Sequence, residues 1–144
     1  MSEHEAVQSA VEYLVRRALA EDVGSGDVTT AALIPQHLRG VGRVVAKEDL
    51  VVAGFTPFRR VFEALSPHVV IRFPEAEGAE LHSGGLIAEL RGPYGALLTG
   101  ERSALNFLQL LSGVATKARQ FADLVSGTRA QVVDTRKTLP GLRL

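Results

Sequence analysis

Residues 130–144 read A-Q-V-V-D-T-R-K-T-L-P-G-L-R-L. The apolar pair Val132 and Val133 runs directly into Asp134-Thr135-Arg136-Lys137, and Pro140-Gly141 then punctuates the chain as a turn. This spacing predicts a strand over residues 130–133 with charge gathered at its exit. In sheets built from β-then-α units, ligands sit at the carboxyl ends of the strands, where several loops converge over a rigid support. Two cations and a hydroxyl at such a point suit an anion. Taken alone, the same residues also suit a solvated turn.

Working backwards, Val114, Ala118, Phe121, Ala122 and Val125 mark a helix, with Ser112 as its cap and Gly127 as its stop. Helix, short loop, strand and charged loop is how an α/β barrel begins. A lone parallel strand cannot close or bury itself, so residues 113–144 read as the start of a barrel domain in a truncated chain. Before the Ser112-Gly113 break, apolar residues from Leu97 to Leu111 fall on nearly every face, which predicts a helix buried on most sides. Its polar residues Glu101, Arg102 and Asn106 then need partners, because burying an arginine without a hydrogen bond costs several kcal/mol, roughly 2–7 for a neutral polar group and more for a charge. Two readings stay open: Glu101 neutralises Arg102, or Arg102 points into a site that an anion completes.

At the other end, Ser2 and Glu5 have capping-box spacing, and Val7, Val11, Leu14, Val15 and Ala18 fall on one helical face. That helix is expected to stop between Asp22 and Gly24, at the turn Gly24-Ser25-Gly26-Asp27. Asp22 and Asp27 suit either a metal or a cap, and the cap is the commoner use. Residues 40–47 and 50–53 read as the two strands of a hairpin. Thr56-Pro57 opens a helix with the stripe Phe58, Val61, Phe62 and Leu65. Residues 69–73 and 86–90 are further strands. The pattern predicts an α+β fold: an N-terminal α/β sandwich domain with an antiparallel sheet over residues 1–112, followed by the first strand of an incomplete, TIM-like α/β barrel over residues 113–144.

With 16 basic and 16 acidic residues, the chain has no overall attraction for nucleic acid or anionic membrane, so any anion must be bound by a local cluster. There is no cysteine, which excludes disulfides and cysteine-ligated zinc. His4, His37, His68 and His82 lack metal spacing with one another, and no histidine lies near Ser103 or Ser112 to suggest a nucleophilic triad. Gly24, Gly26, Gly84 and Gly85 do not form a phosphate loop. The absence of a signal-length or membrane-length apolar run predicts a cytoplasmic protein with no membrane partner. What survives is the cation set Arg102, Arg136 and Lys137. Arginine offers carboxylate a planar fork and lysine a point charge, so together they suit a ligand with two carboxylates.

Four stretches resemble quinolinate phosphoribosyltransferase, the carboxylating nicotinate-nucleotide pyrophosphorylase of NAD biosynthesis. They are A-L-A-E-D-V-G-S-G-D-V-T-T (Ala18 to Thr30), V-A-G (Val52 to Gly54), G-E-R-S-A-L-N-F-L-Q-L-L-S-G-V-A-T (Gly100 to Thr116) and D-T-R-K-T-L-P-G-L-R (Asp134 to Arg143). The resemblance implies phosphoribosyl transfer from phosphoribosyl pyrophosphate to quinolinate with Mg2+, giving nicotinate mononucleotide, pyrophosphate and CO2. It also implies a homodimer or higher homo-oligomer in which Thr135, Arg136 and Lys137 hold quinolinate and Arg102 reaches in from the partner subunit. The family's later His-Arg pair, a further lysine, acidic residues and phosphate loops are not in this sequence, so the chain alone is expected to lack turnover and no catalytic residue is assigned within it. Two rivals remain: a non-catalytic dimerisation or dicarboxylate-binding fragment, and the related phosphoribosyltransferase-like protein associated with molybdate transport, against which D-T-R-K-T-L-P-G argues.

Overall fold

A computed structural model describes residues 2–135, 137 and 138. In chain order the elements are α1 (Glu3–Val23), α2 (Val28–Leu33), β1 (Arg39–Val45), β2 (Leu50–Val51), α3 (Phe55–Leu65), β3 (Val70–Arg72), β4 (Glu80–Leu81), β5 (Leu86–Pro93) and α4 (Tyr94–Leu124).

The first helix starts as its sequence predicts. Ser2 Oγ accepts from the Glu5 amide at 3.2 Å, and the Glu5 carboxylate accepts from the Ser2 amide at 2.6 Å. It stops at Gly24, which takes a positive φ of 55° and donates its N–H to Ala20 O. Asp27 then caps the short α2, a helix too brief for its apolar spacing to announce it.

The expected hairpin between residues 40–47 and 50–53 does not form. β1 pairs antiparallel with β5, and β2 with β4, giving a three-stranded sheet in the order β1-β5-β3 and a two-stranded one. The β1–β2 segment as a whole lies alongside the β4–β5 segment, so each strand's partner is distant in sequence. The links are tied together as well. Ala46 donates to Gly85 O at 2.9 Å and accepts from the Gly84 amide at 2.8 Å, while Asp49 accepts from the Ser83 amide at 2.9 Å. His82 closes the same link with its Nδ1 3.1 Å from Asp49.

Helices α1, α3 and α4 pack together, with α4 also against β1 and β5. The expected stripe of α3 supplies Phe58, Val61 and Phe62 to the core, which meet Val15, Ile87, Ala88, Leu90, Leu97, Ala104 and Leu108. The cap of α3 is Gly54 and not Thr56; its φ of 104° is the left-handed region that glycine enters without strain. Pro57 lies in the first turn, where its missing N–H costs nothing.

The expected helix break at Ser112-Gly113 is absent, and α4 runs unbroken for 31 residues. A glycine inside a helix costs roughly 1 kcal/mol. Here Ser112 offsets it: its buried Oγ accepts from the Ala53 amide at 3.0 Å and donates to Ala53 O at 3.1 Å. One turn on, Thr116 Oγ1 accepts from the Val51 amide at 2.9 Å. Two hydroxyls of one helix thus satisfy the backbone of the β2 segment. Nor is α4 buried on most sides. Its buried residues form one face (Leu97, Gly100, Ser103, Ala104, Leu108, Ser112), and Glu101, Arg102 and Asn106 are exposed.

Residues 130–133, expected as a strand, make no β pair among the described residues. A strand is defined by its partner, and none of the described strands pairs with this segment. The Pro140-Gly141 turn lies outside the described residues.

Gly100 is where α4 comes closest to α3: a Cβ there would lie 2.7 Å from Phe62 Cε1 and 2.9 Å from Leu65 Cδ1. Gly100→Ala is expected to lower unfolding free energy by about 1–3 kcal/mol through overpacking. Gly113→Ala, whose Cβ would meet nothing within 4 Å, is expected to raise it by about 0.5–1 kcal/mol. Urea denaturation of the two variants checks both signs.

Candidate functional site

Arg102 lies on the flank of α4 that passes the end of α1. Its Nη1 donates to Asp22 Oδ1 at 2.5 Å. The two partners differ sharply in exposure, with 75% of the arginine side chain in water against 18% of the aspartate. Ser103 Oγ, from a buried serine, stands 3.5 Å from the second Asp22 oxygen. The arginine's carboxylate therefore comes from α1, 80 residues away in sequence, and not from the neighbouring Glu101. The need that suggested Glu101 also disappears, because Arg102 is not buried.

Asp27 lies close by and is fully engaged. Its Oδ2 accepts from the Thr30 hydroxyl at 2.6 Å and the Thr99 hydroxyl at 2.9 Å, and its Oδ1 accepts from the Thr30 amide at 3.0 Å. The Thr30 hydroxyl, then the Thr30 amide and the Thr99 hydroxyl, hold the Asp27 carboxyl below its ordinary value of 3.8, and the Arg102 charge adds to this. Asp27 is thus the cap its sequence suggested, and it also ties α2 to α4.

Arg102 stands on a crest between two hollows. Asp22, Gly26, Asp27, Thr29 and Thr99 line one; Ala18, Glu21, Asn106, Phe107 and Leu110 line the other. The first is polar, and both open to solvent. Among the described residues no three histidine, aspartate or glutamate side chains come together to hold a metal. Asp22 and Asp27 are each spent on protein donors.

Thr135 and Lys137 are exposed, and the Lys137 amide donates to Thr135 Oγ1 at 3.2 Å. Neither bonds to Arg102 among the described residues. Arg136 lies outside the described residues. Sequence reasoning missed Asp22 as the partner of Arg102, and no local signal announced it.

The fold and site define an α+β sandwich that presents a carboxylate-held arginine on its longest helix. Residues 27–112 match the family model described as quinolinate phosphoribosyl transferase, N-terminal domain, and residues 114–144 match the one for its C-terminal domain. The chain belongs to the quinolinate phosphoribosyl transferase family. It is similar to the probable nicotinate-nucleotide pyrophosphorylase (carboxylating) of Synechocystis sp., with 44% identity over 134 residues, covering 93% of this chain and 45% of the relative. The protein of the same description from Bacillus subtilis is 37% identical over 134 residues, covering 93% of this chain and 46% of the relative. The solved nicotinate-nucleotide pyrophosphorylase of Francisella tularensis superposes with a TM-score of 0.88 at 31% identity, over 93% of this chain and 47% of its own. The chain spans about half the length of the relatives it matches.

Because folding lowers the Asp27 pKa, its contribution to stability is complete above the ordinary carboxylate value and is lost as pH falls through the folded one. Asp27→Asn is expected to melt at a lower temperature than the parent at neutral pH. That gap should close as pH drops below 3.8. Thermal melts of both proteins between acid and neutral pH check the trend.

Proposed function

We propose that this chain supplies part of an enzyme that transfers the phosphoribosyl group of phosphoribosyl pyrophosphate to quinolinate, with release of pyrophosphate and CO2, in NAD biosynthesis. The observation that carries this reading is Arg102: a cation anchored by Asp22 yet 75% exposed, inside the stretch that matches the family. An arginine held but not buried is suited to a negatively charged group that arrives from outside the fold.

In this reading Thr135, Arg136 and Lys137 hold one quinolinate, and Arg102 approaches it from the partner subunit of a homodimer or higher homo-oligomer. Quinolinate carries adjacent carboxylates, and fixed cations from two chains compensate both. Loss of CO2 follows ribosylation of the ring nitrogen, because the quaternised nitrogen takes up the electrons left behind. The cations of this chain bind and orient the substrate for that step. Mg2+ would enter with phosphoribosyl pyrophosphate, whose phosphates supply most of its ligands.

The division of the chain near residue 112 belongs to the same proposal. Val114, Phe121 and Leu124 are exposed on the far half of α4, where the match to the family's C-terminal domain begins. Apolar residues gathered there suit cover by a further domain. We place the protein in the cytoplasm; among the described residues no helix is long and apolar enough to cross a membrane.

Isothermal titration with quinolinate and with pyridine monocarboxylates tests the substrate. The dicarboxylate should bind preferentially, and Arg102→Gln should weaken it about tenfold to a hundredfold, the weight of one charge-assisted contact. Equal binding of monocarboxylates sinks the reading, and no binding leaves only an assembly role. In an assay of quinolinate-dependent CO2 release, the 144-residue chain should show no turnover; robust activity refutes the view that essential groups lie elsewhere.

A further inference from the structure

The place of Asp22 is not explained by the helix that carries it. Asp22 is the penultimate residue of α1, and no basic residue occupies that helix's last turn. A carboxylate at a helix C-terminus opposes the macrodipole and is locally unfavourable. Its compensation comes from α4, through Arg102.

Three features make this pair more than a surface ion pair. The aspartate is the shielded member and the arginine the exposed one, at 18% and 75%, so the carboxylate is the anchor and the guanidinium the arm. Contact is through Nη1 alone, and among the described residues no other group bonds the guanidinium, so Nε and Nη2 keep their donors. Finally, the other nearby carboxylate, Asp27, is taken up by Thr30 and Thr99 and makes no bond to Arg102. Asp27 acts on Arg102 through charge alone, and among the described residues Asp22 is the carboxylate bonded to it.

We propose that Asp22 is a positioning residue, which fixes the Arg102 guanidinium by one nitrogen so that its remaining N–H edge is presented, already ordered, to a carboxylate of the ligand. This rests on the reading of Arg102 as a ligand-binding cation. A free arginine side chain has many rotamers, and binding through it must first select one. A carboxylate that makes the selection in advance strengthens binding without touching the ligand, as the outer partners of catalytic and metal-binding groups do.

Two measurements on the chain test this. In the first, 15N relaxation of arginine Nε–Hε groups should show Arg102 more ordered than the exposed Arg129. Asp22→Asn should make the two alike while the chain still melts cooperatively. If Arg102 is as mobile as Arg129 in the parent, or stays ordered in Asp22→Asn, the proposal falls. In the second, titration with quinolinate should give a threefold to tenfold weaker Kd for Asp22→Asn, smaller than the loss in Arg102→Gln. If Arg102→Gln weakens binding while Asp22→Asn leaves it unchanged or tightens it, the positioning role is refuted and the ligand reading stands. If Arg102→Gln changes nothing, the ligand reading fails, and the relaxation data alone decide whether Asp22 orders the arginine.

Discussion

The fold depends on how closely α4 can lie against α3. Two aromatic rings of α3, Phe58 and Phe62, meet edge to face with centroids 5.3 Å apart. Phe62 presses against α4 at Gly100, where even a methyl group would come within 2.7 Å of the ring. Gly100 and Ala104 are small residues on the buried face of α4, with Leu97 and Leu108 on either side of them in the core. Close packing of this kind tolerates little change in volume. It also fixes the rotation of α4. At about 100° per residue, seating Gly100 and Ala104 on α3 turns residue 102 away from the rings and toward the end of α1, where Asp22 waits.

A second constraint acts further along the same helix. β2 is two residues long, and its segment lies beside α4. Backbone groups in such a place need partners, and leaving one unpaired costs about 1–3 kcal/mol. Ser112 and Thr116, one helical turn apart, provide them for Val51 and Ala53. These bonds favour an unbroken helix through a Ser-Gly pair that, by itself, signals an ending. The hydroxyls also tie α4 to the β2 segment at a fixed distance.

What was legible in the sequence was local. The capping box at Ser2 and Glu5, the stop at Gly24, the α3 stripe and the cap at Asp27 each involve residues within a few positions of one another, and each is found as its spacing implies. The hairpin failed because strand pairing is not a local property. Residues 40–47 alternate as a strand whether their partner is β2 or β5, and the preference is set by ties such as Ser83 to Asp49 that no short window contains. The continuity of α4 was hidden for the same reason, since the groups that favour it belong to Val51 and Ala53. Arg102 was found as a functional candidate from its helix and from a family resemblance. Its partner was not, because only the folded chain brings the end of α1 to it.

The two aspartates near Arg102 show how similar residues on either side of one turn come to different uses. Asp27 begins a helix, so the amide of Thr30 points at it, and two threonine hydroxyls complete its shell. Such a carboxylate is saturated by groups of its own chain and has little left to offer a ligand or an arginine. Asp22 ends a helix, where the nearby backbone groups are carbonyls and cannot donate to it. It must find its donors across the fold, and the strongest within reach is Arg102. Helix polarity alone therefore makes Asp27 a cap and leaves Asp22 to pair with a cation. The packing of α4 on α3 sets where Arg102 emerges, and the direction in which α1 runs sets which carboxylate meets it there.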